Sequence, residues 1–230
     1  GALYEYELEQ PRRVTASQGM MLESVAHLDA HRLAPDKVPA RRLATLKAAG
    51  ALAIPFTTGL LVGIGESRLD RLNTLLAIRK SHEEFGHIQE VIVQNFLPKE
   101  RTQMASWPAA DEEEFHWTIA AARMVLPSDI HLQAPPNLSD EPAKLLAYGI
   151  DDFGGISPVT VDHVNPERAW PVVSTLADEV IKQDLTLAPR LTVYPEWQSE
   201  RFLDPDVRPS VLRLANSEGR RREDDWFSGG

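Results

Sequence analysis

The chain has 230 residues, 43% of them hydrophobic and 25% charged, and a formal net charge of −10. That is the balance of a globular protein with a full core, and its acidic excess disfavours nucleic acid as a partner. It has no cysteine, which excludes disulfides and thiolate-held metals or iron–sulfur clusters within these residues. No apolar run of ~18 residues suggests a membrane span, and "GALYEYELEQPRRVTASQ" lacks the plan of a secretory signal. A cytoplasmic protein without membrane contact is expected.

In chain order, "RVTASQGMMLE" (13–23) is the first predicted strand. A loop with Pro35 and Pro39 leads to a helix in "ARRLATLKAAG", where Leu43, Leu46 and Ala49 share a face and Gly50 is the expected stop. "PFTTGLLVGIGES" (55–67) holds the second strand. The next helix takes Ser67 as cap and Gly86 as stop, with Leu69, Leu72, Leu75, Leu76 and Ile78 placed on one side. "EVIVQNFLP" is the third strand, and "DEEEFHWTIAAARMVL" a helix with its acids in the first turn. "IHLQAPPNL" reads as the fourth strand, "EPAKLLAYG" as a short helix and "DFGGISPV" as a brief fifth strand. A longer helix in "AWPVVSTLADEVIKQDLTLA" precedes a proline-rich tail from Arg190, with a small helix around 207–214.

About five βα units of this kind imply an α/β fold of parallel strands with outer helices. Apolar strands with little alternation fit a sheet buried on both faces. Polar residues cluster just past each strand: Glu23, Glu66, Gln94 with Asn95, Gln133 with Asn137, Ser157 with Thr160. A partial (β/α) barrel and an open doubly wound sheet both place function at that edge.

The motifs exclude more than they select. "VGIGES" is not a dinucleotide or Walker loop, since the third glycine and the G-K-[ST] are missing. It is either a plain strand-to-helix turn or a loop whose bare backbone admits a planar ligand. Gln94, Asn95, Gln133 and Asn137 carry amides suited to heterocycles with mixed donor and acceptor edges, or brace their loops. Glu23 suits a sugar diol or an Arg/Lys partner. Asp162 and His163 invite an acid–base reading, but no H-x-H, H-E-x-x-H or G-x-S-x-G spacing supports a hydrolase. "DEEE" reads as a solvated helix start, and Arg220–Arg222 followed by Glu223, Asp224 and Asp225 as a solvated tail.

"GMMLES", "PFTTGLLVGIGES", "GHIQEVIVQNFLPK", "LQAPPNLS", "DFGGISPVTVDHVNPERAWP" and "LTVYPEW", in that order, resemble the radical S-adenosylmethionine subunit of FO synthase, from about Val14 onward. The resemblance implies a TIM-type barrel with a 4Fe-4S cluster and S-adenosylmethionine as cofactors. It implies a lyase that closes the ring of 7,8-didemethyl-8-hydroxy-5-deazariboflavin, with loss of ammonia, on a tyrosine-derived adduct of 5-amino-6-(D-ribitylamino)uracil. It assigns cofactor contacts to Glu23, Gly63, Ile64 and Gly65, and substrate contacts to Gln94, Asn95, Gln133, Asn137, Ser157 and Thr160. No catalytic residue and no metal ligand is carried over.

The family's C-x-x-x-C-x-x-C loop has no counterpart here. The resemblance therefore implies a C-terminal part from a truncated or split gene, with residues 1–189 a partial barrel of about five strands and 190–230 an extension packed on it. Such a part, with two unpaired sheet edges, is expected to be marginally stable, to self-associate or to need its N-terminal half or a companion FO synthase subunit. It is expected to be inactive alone. The alternatives are a non-catalytic remnant or binding module on the same scaffold, and a cluster-free enzyme using Asp162 and His163.

Overall fold

The computed structural model describes residues 1–157 and 159–223. Pro158 of the fifth-strand segment and Asp224 and Asp225 of the tail lie outside them. Four parallel strands form one sheet: β1 (Gln18–Gly19), β2 (Phe56–Val62), β3 (Ile88–Asn95) and β4 (His131–Gln133). Among the described residues six α-helices accompany them: α1 (Glu5–Arg12), α2 (Pro39–Ala51), α3 (Arg68–Phe85), α4 (Glu112–Val125), α5 (Val173–Ile181) and α6 (Arg208–Leu214). A 3-10 helix spans Pro142–Tyr148, where a short helix was expected.

The expected α/β class is present, with one strand fewer. The fifth segment contributes a single bridge, Asp152 to Gln133, rather than a strand. Gly154 and Gly155 follow at once, and glycines weaken a ladder. The first strand is also shorter than expected: its regular pairing with β2 ends where the Met20 N–H donates to Thr57 O, and the chain meets β2 again at a bridge from Glu23 to Leu60. Strand order is β1-β2-β3-β4 without reversal. A doubly wound sheet reverses direction at a switch point, and none occurs along these strands.

Local chemistry explains the helix ends. Ser67 Oγ accepts from the Asp70 N–H while Asp70 accepts from Ser67, a reciprocal cap, and Gly86 closes α3 at φ 66°. Asp111 caps α4 by accepting from the Glu114 N–H. Two expectations fail. Gly50 does not stop α2, which continues to Ala51; a Cβ there would lie 2.5 Å from the Phe85 ring, so its role is close packing of α2 on α3. Leu69 and Leu76 are exposed, and α3 buries Leu75 and Ile78 beside Arg71, Thr74 and His82. α1 was not anticipated; it buries Leu8.

The two faces of the sheet differ. Phe56, Leu60, Val62, Val91 and Val93 lie in the core beneath the helices, all at most 1% exposed. On the other face, parallel register aligns Thr57 with Glu90, Gly59 with Ile92, and Leu61 with Gln94. It continues Glu90 to His131 and Ile92 to Gln133. Partnered residues share a face. Here Leu61, Ile92 and Gln94 are only half-buried, so helices cover one face and leave the other partly open.

The segment after Arg190 crosses the N-terminal ends of the strands. Thr192 O accepts from Ser17 Oγ and Gln89 Nε2, and Trp197 Nε1 donates to Gly86 O. Val193, Tyr194, Trp197, Phe202, Leu203 and Val211 form a second apolar cluster there. No helix among the described residues is long and apolar enough to cross a membrane.

Candidate functional site

The C-terminal edge of the sheet gathers most of the polar residues singled out from sequence. The bridge through Glu23 and the pairing of β2 with β3 set Glu23, the Gly63–Gly65 turn, Gln94 and Asn95 on neighbouring strand ends.

Glu23 has φ 62°, unusual for a residue with a side chain, and its carboxylate is buried. It lies 2.7 Å from His31 Nε2, 2.9 Å from Lys37 Nζ and 3.1 Å from Arg42 Nη1. Arg42 also donates to the Met21 carbonyl. Burial opposes ionisation, but His31, Lys37 and Arg42 outweigh it and hold the carboxyl down from 4.5 to about 2. The folded-state value is the lower one, so this group stabilises the fold above about pH 4.5 and loses its contribution as pH falls towards 2. The gap is worth about 3 kcal/mol. Glu23→Gln is expected to lower stability at pH 7 and to flatten the acid limb of a stability–pH profile measured by urea unfolding. An unchanged acid limb would refute the assignment.

The Gly63–Ile64–Gly65 turn is less bare than expected. The Glu66 carboxylate folds back beneath it and accepts from the Gly63 N–H at 2.9 Å and the Ile64 N–H at 2.8 Å. Arg71 Nε holds Glu66 at 2.8 Å, and Arg71 Nη1 reaches Glu114 at 2.6 Å. Gly63 and Gly65 have φ near +96° and +97°, a region that favours glycine. A Cβ on Gly63 would meet Ala110 at 2.8 Å, and one on Gly65 would meet the Trp107 ring at 3.4 Å. The loop between β3 and α4 thus lies over the turn, with an indole against Gly65.

Beside this, Gln94, Gln133, Pro135, Leu138, Phe153 and Trp170 help line a cleft of about 130 Å³ that also touches Gly155, Asp162, Val164 and Asn165. Asn95 and Asn137 brace it from outside: Asn95 Nδ2 donates to Leu138 O at 3.0 Å, and Asn137 Nδ2 to Asp162 Oδ2 at 2.9 Å. Asp162 also accepts from Asn165. Burial raises its pKa, but these amides overcome that and hold it below the usual carboxylate range. His163 is exposed. Ser157 accepts from Thr160 Oγ1 at 2.7 Å, a turn that does not line the cleft.

Gln133 rests directly on Gly154: a Cβ at Gly154, where φ is +72°, would fall 1.8 Å from Gln133 Nε2. Gly154→Ala is therefore expected to expel the Gln133 amide and to cost about 1–3 kcal/mol in thermal unfolding. An unchanged midpoint would show that the segment shifts freely.

A larger hollow of about 440 Å³ lies on the outer side of α4, along Glu112, Glu113, His116, Trp117, Ala120 and Tyr148. It is a furrow on a helix, away from the strand ends, so the site is placed in the smaller cleft. Among the described residues no group of three His, Asp or Glu is placed to hold a metal ion.

Sequence reasoning missed Glu66 as the partner of the turn, and Trp107, Phe153 and Trp170 as walls. The two-residue spacing from Ile64 to Glu66 was the available signal for the first. Nothing local distinguishes the aromatics.

No protein-family model matches the chain. It is 47% identical over 223 residues to 7,8-didemethyl-8-hydroxy-5-deazariboflavin synthase of Methanosarcina acetivorans, covering 97% of this chain and 67% of that protein. With the synthase of the same name from Methanoregula boonei it shares 46% identity over 214 residues, covering 93% of this chain and 64% of the relative. To FO synthase of Mycobacterium tuberculosis it is 49% identical over 226 residues, covering 94% of this chain but only 26% of the longer protein. The chain thus spans about two thirds of these archaeal relatives and about a quarter of the mycobacterial one. It belongs to the 7,8-didemethyl-8-hydroxy-5-deazariboflavin (FO) synthase family.

Proposed function

We propose that this chain is the C-terminal, ligand-cradling part of an FO synthase, a radical S-adenosylmethionine lyase that closes the deazaflavin ring on an adduct of 5-amino-6-(D-ribitylamino)uracil. The observation that carries the reading is the open sheet face, polar at its C-terminal edge, in a chain that spans only part of its relatives. Strands that succeed one another without reversal support reading the sheet as an arc of a (β/α) barrel. Further strands, supplied by an N-terminal half or a companion subunit, would cover the face. The first 189 residues form the arc and the remainder an extension closing its lower end.

A 4Fe-4S cluster does not fit these residues: there is no cysteine to ligate it. No step through a cluster is assigned to this chain. What the chain supplies is binding and orientation. Glu23 is an ionised acceptor at a strand end, suited to a ribose diol. The Gly63–Gly65 turn, rigid on Glu66, offers a flat backbone surface to a purine at the position that Trp107 now flanks. Gln94, Gln133, Asn95 and Asn137 form or brace the substrate side. Ser157 and Thr160 would shape the loop beyond it.

Calorimetry of the chain with S-adenosylmethionine tests this reading. Binding that Glu23→Ala weakens at least tenfold is expected. Absence of binding, or indifference to Glu23→Ala, would count against it.

A further inference from the structure

His131, the first residue of β4, is a point where the extension meets the sheet. Its imidazole stacks on Tyr194, with ring centres 3.8 Å apart and planes 7° apart, and meets the edge of Trp197 at 6.4 Å. These two aromatics bound the 3-10 turn Pro195–Trp197 and are buried. Both ring nitrogens face carboxylates: Nδ1 lies 2.7 Å from Asp151 Oδ2, and Nε2 lies 3.6 Å from Glu196 Oε2. Asp151 is fixed to the sheet edge, accepting from the Leu132 N–H at 2.6 Å and from Arg123 Nη2 at 3.1 Å. Glu196 belongs to the extension, and its side chain is 54% exposed.

A neutral imidazole has one N–H and one lone pair. The shorter contact assigns that proton to Nδ1, toward Asp151. Nε2 then turns its lone pair to the Glu196 carboxylate, and the two repel. A second proton, on Nε2, converts the contact into an attraction. An imidazolium stacked on a phenol ring also gains a cation–π contribution. Both changes hold the turn more firmly to the sheet. Other charged groups surround it. Glu90 is the register partner of His131 and accepts from Tyr194 Oη. Arg190 lies 4.3 Å from the centre of the Tyr194 ring and pairs with Glu90 and Asp152. His82, paired with Asp129, lies 6.5 Å from Trp197.

We propose that His131 is a pH-sensitive latch: doubly protonated, it ties the Tyr194–Trp197 turn to the start of β4 through Glu196, and on losing the Nε2 proton it lets that turn loosen. Burial disfavours the charged ring, but Asp151 and then Glu196 outweigh it and hold the His131 pKa above 6.5. A group whose folded-state pKa is raised contributes fully below its ordinary value, and the contribution is lost as pH rises through the folded-state value. The latch is therefore closed at about pH 6 and opens as the solution becomes more alkaline. Neighbouring ties from Thr192 to Ser17 and Gln89, and from Arg201 to the Phe85 carbonyl, carry no titrating partner, so opening is confined to the turn. The latch sits at the opposite end of the strands from the ligand cleft and does not depend on the functional reading above.

The test is hydrogen exchange of the whole chain, read by mass spectrometry between about pH 6 and pH 8.5, with each rate divided by the intrinsic rate at that pH. Protection of the turn should fall about threefold across this range, the scale of a partly exposed ion pair, while protection of β2 stays constant. Glu196→Gln changes an exposed side chain, keeps the bond from His131 to Asp151, and should flatten the change. It should also lower the midpoint at which the His131 ring titrates by NMR. His131→Gln should flatten the change as well. Constant protection of the turn in the parent protein, or a fall shared by β2, overturns the proposal. So does a His131 midpoint that Glu196→Gln leaves in place. A fall that persists in Glu196→Gln also overturns it, and assigns the effect to Glu90 or His82 instead.

Discussion

Replacing Glu66 with leucine is expected to cost about 4 kcal/mol of stability, within the range for breaking a buried charge pair. The residue is small in sequence terms, one acid after a Gly-Ile-Gly turn, yet three groups depend on it. The N–H groups of Gly63 and Ile64 lose their acceptor, and each orphaned buried donor costs about 1–3 kcal/mol. Arg71, itself 5% exposed, loses one of its two carboxylates and keeps only Glu114. Glu66→Gln has the same shape but one acceptor oxygen, so about half the loss is expected. Urea unfolding of both variants measures the effect. A loss under about 1 kcal/mol for the leucine variant would mean that water satisfies the turn.

The second large effect is at the opposite end of the strands. Arg190 Nη2 lies 2.7 Å from Glu90 Oε1, and its guanidinium also pairs with Asp152. Tyr194 Oη is 2.9 Å from Glu90 and 2.8 Å from Asp152. A tyrosine has one proton for these two contacts, so a proton on Glu90 would complete the second. Burial pushes the Glu90 carboxyl up, only partly offset by Arg190. Arg190→Met removes the only cation that contacts both carboxylates among the described residues, and a loss of about 4 kcal/mol at pH 7 is expected. Adding Glu90→Gln to that variant should recover part of it, because the like-charge contact disappears. The pH dependence has the opposite sign to that of Glu23. A carboxyl whose folded-state pKa is raised favours the native state at low pH and weakens it as pH rises above about 4.5. Glu90→Gln alone should therefore flatten the neutral limb. An Arg190→Met protein as stable as its parent would show that the extension is not held by this network.

The legibility of the sequence followed the range of the interactions. Ser67 and Gly86 act within one helical turn, so capping chemistry predicts them and the structure has them; Asp111, read only as part of an acidic first turn, is the cap of α4. The polar clusters past β2, β3 and β4 were visible because strand polarity changes abruptly at those points. Gly50 was misread because its partner, Phe85, is distant in sequence. The stripe on α3 was misread because its buried face carries Arg71, Thr74 and His82, polar groups whose partners include residues distant in sequence. The first and fifth strands were overextended because an apolar run does not reveal whether a neighbouring strand stays alongside. The pairing of Arg190 and Tyr194 is not legible in the sequence, because their partners Glu90 and Asp152 lie far back in the chain.

We propose that this chain binds and orients while another part of the enzyme delivers the electron. Reconstitution tests it most directly. The chain is mixed, under anaerobic reducing conditions with S-adenosylmethionine, with a cysteine-bearing N-terminal segment taken from an archaeal relative, the companion subunit and the ribitylaminouracil substrate. Formation of the fluorescent deazaflavin is followed. No product is expected from the chain with companion and substrates alone, product is expected once the segment is added, and Gly65→Val should abolish it. Product formed without any cysteine-bearing segment, or none formed after a verified complex has assembled, would contradict it.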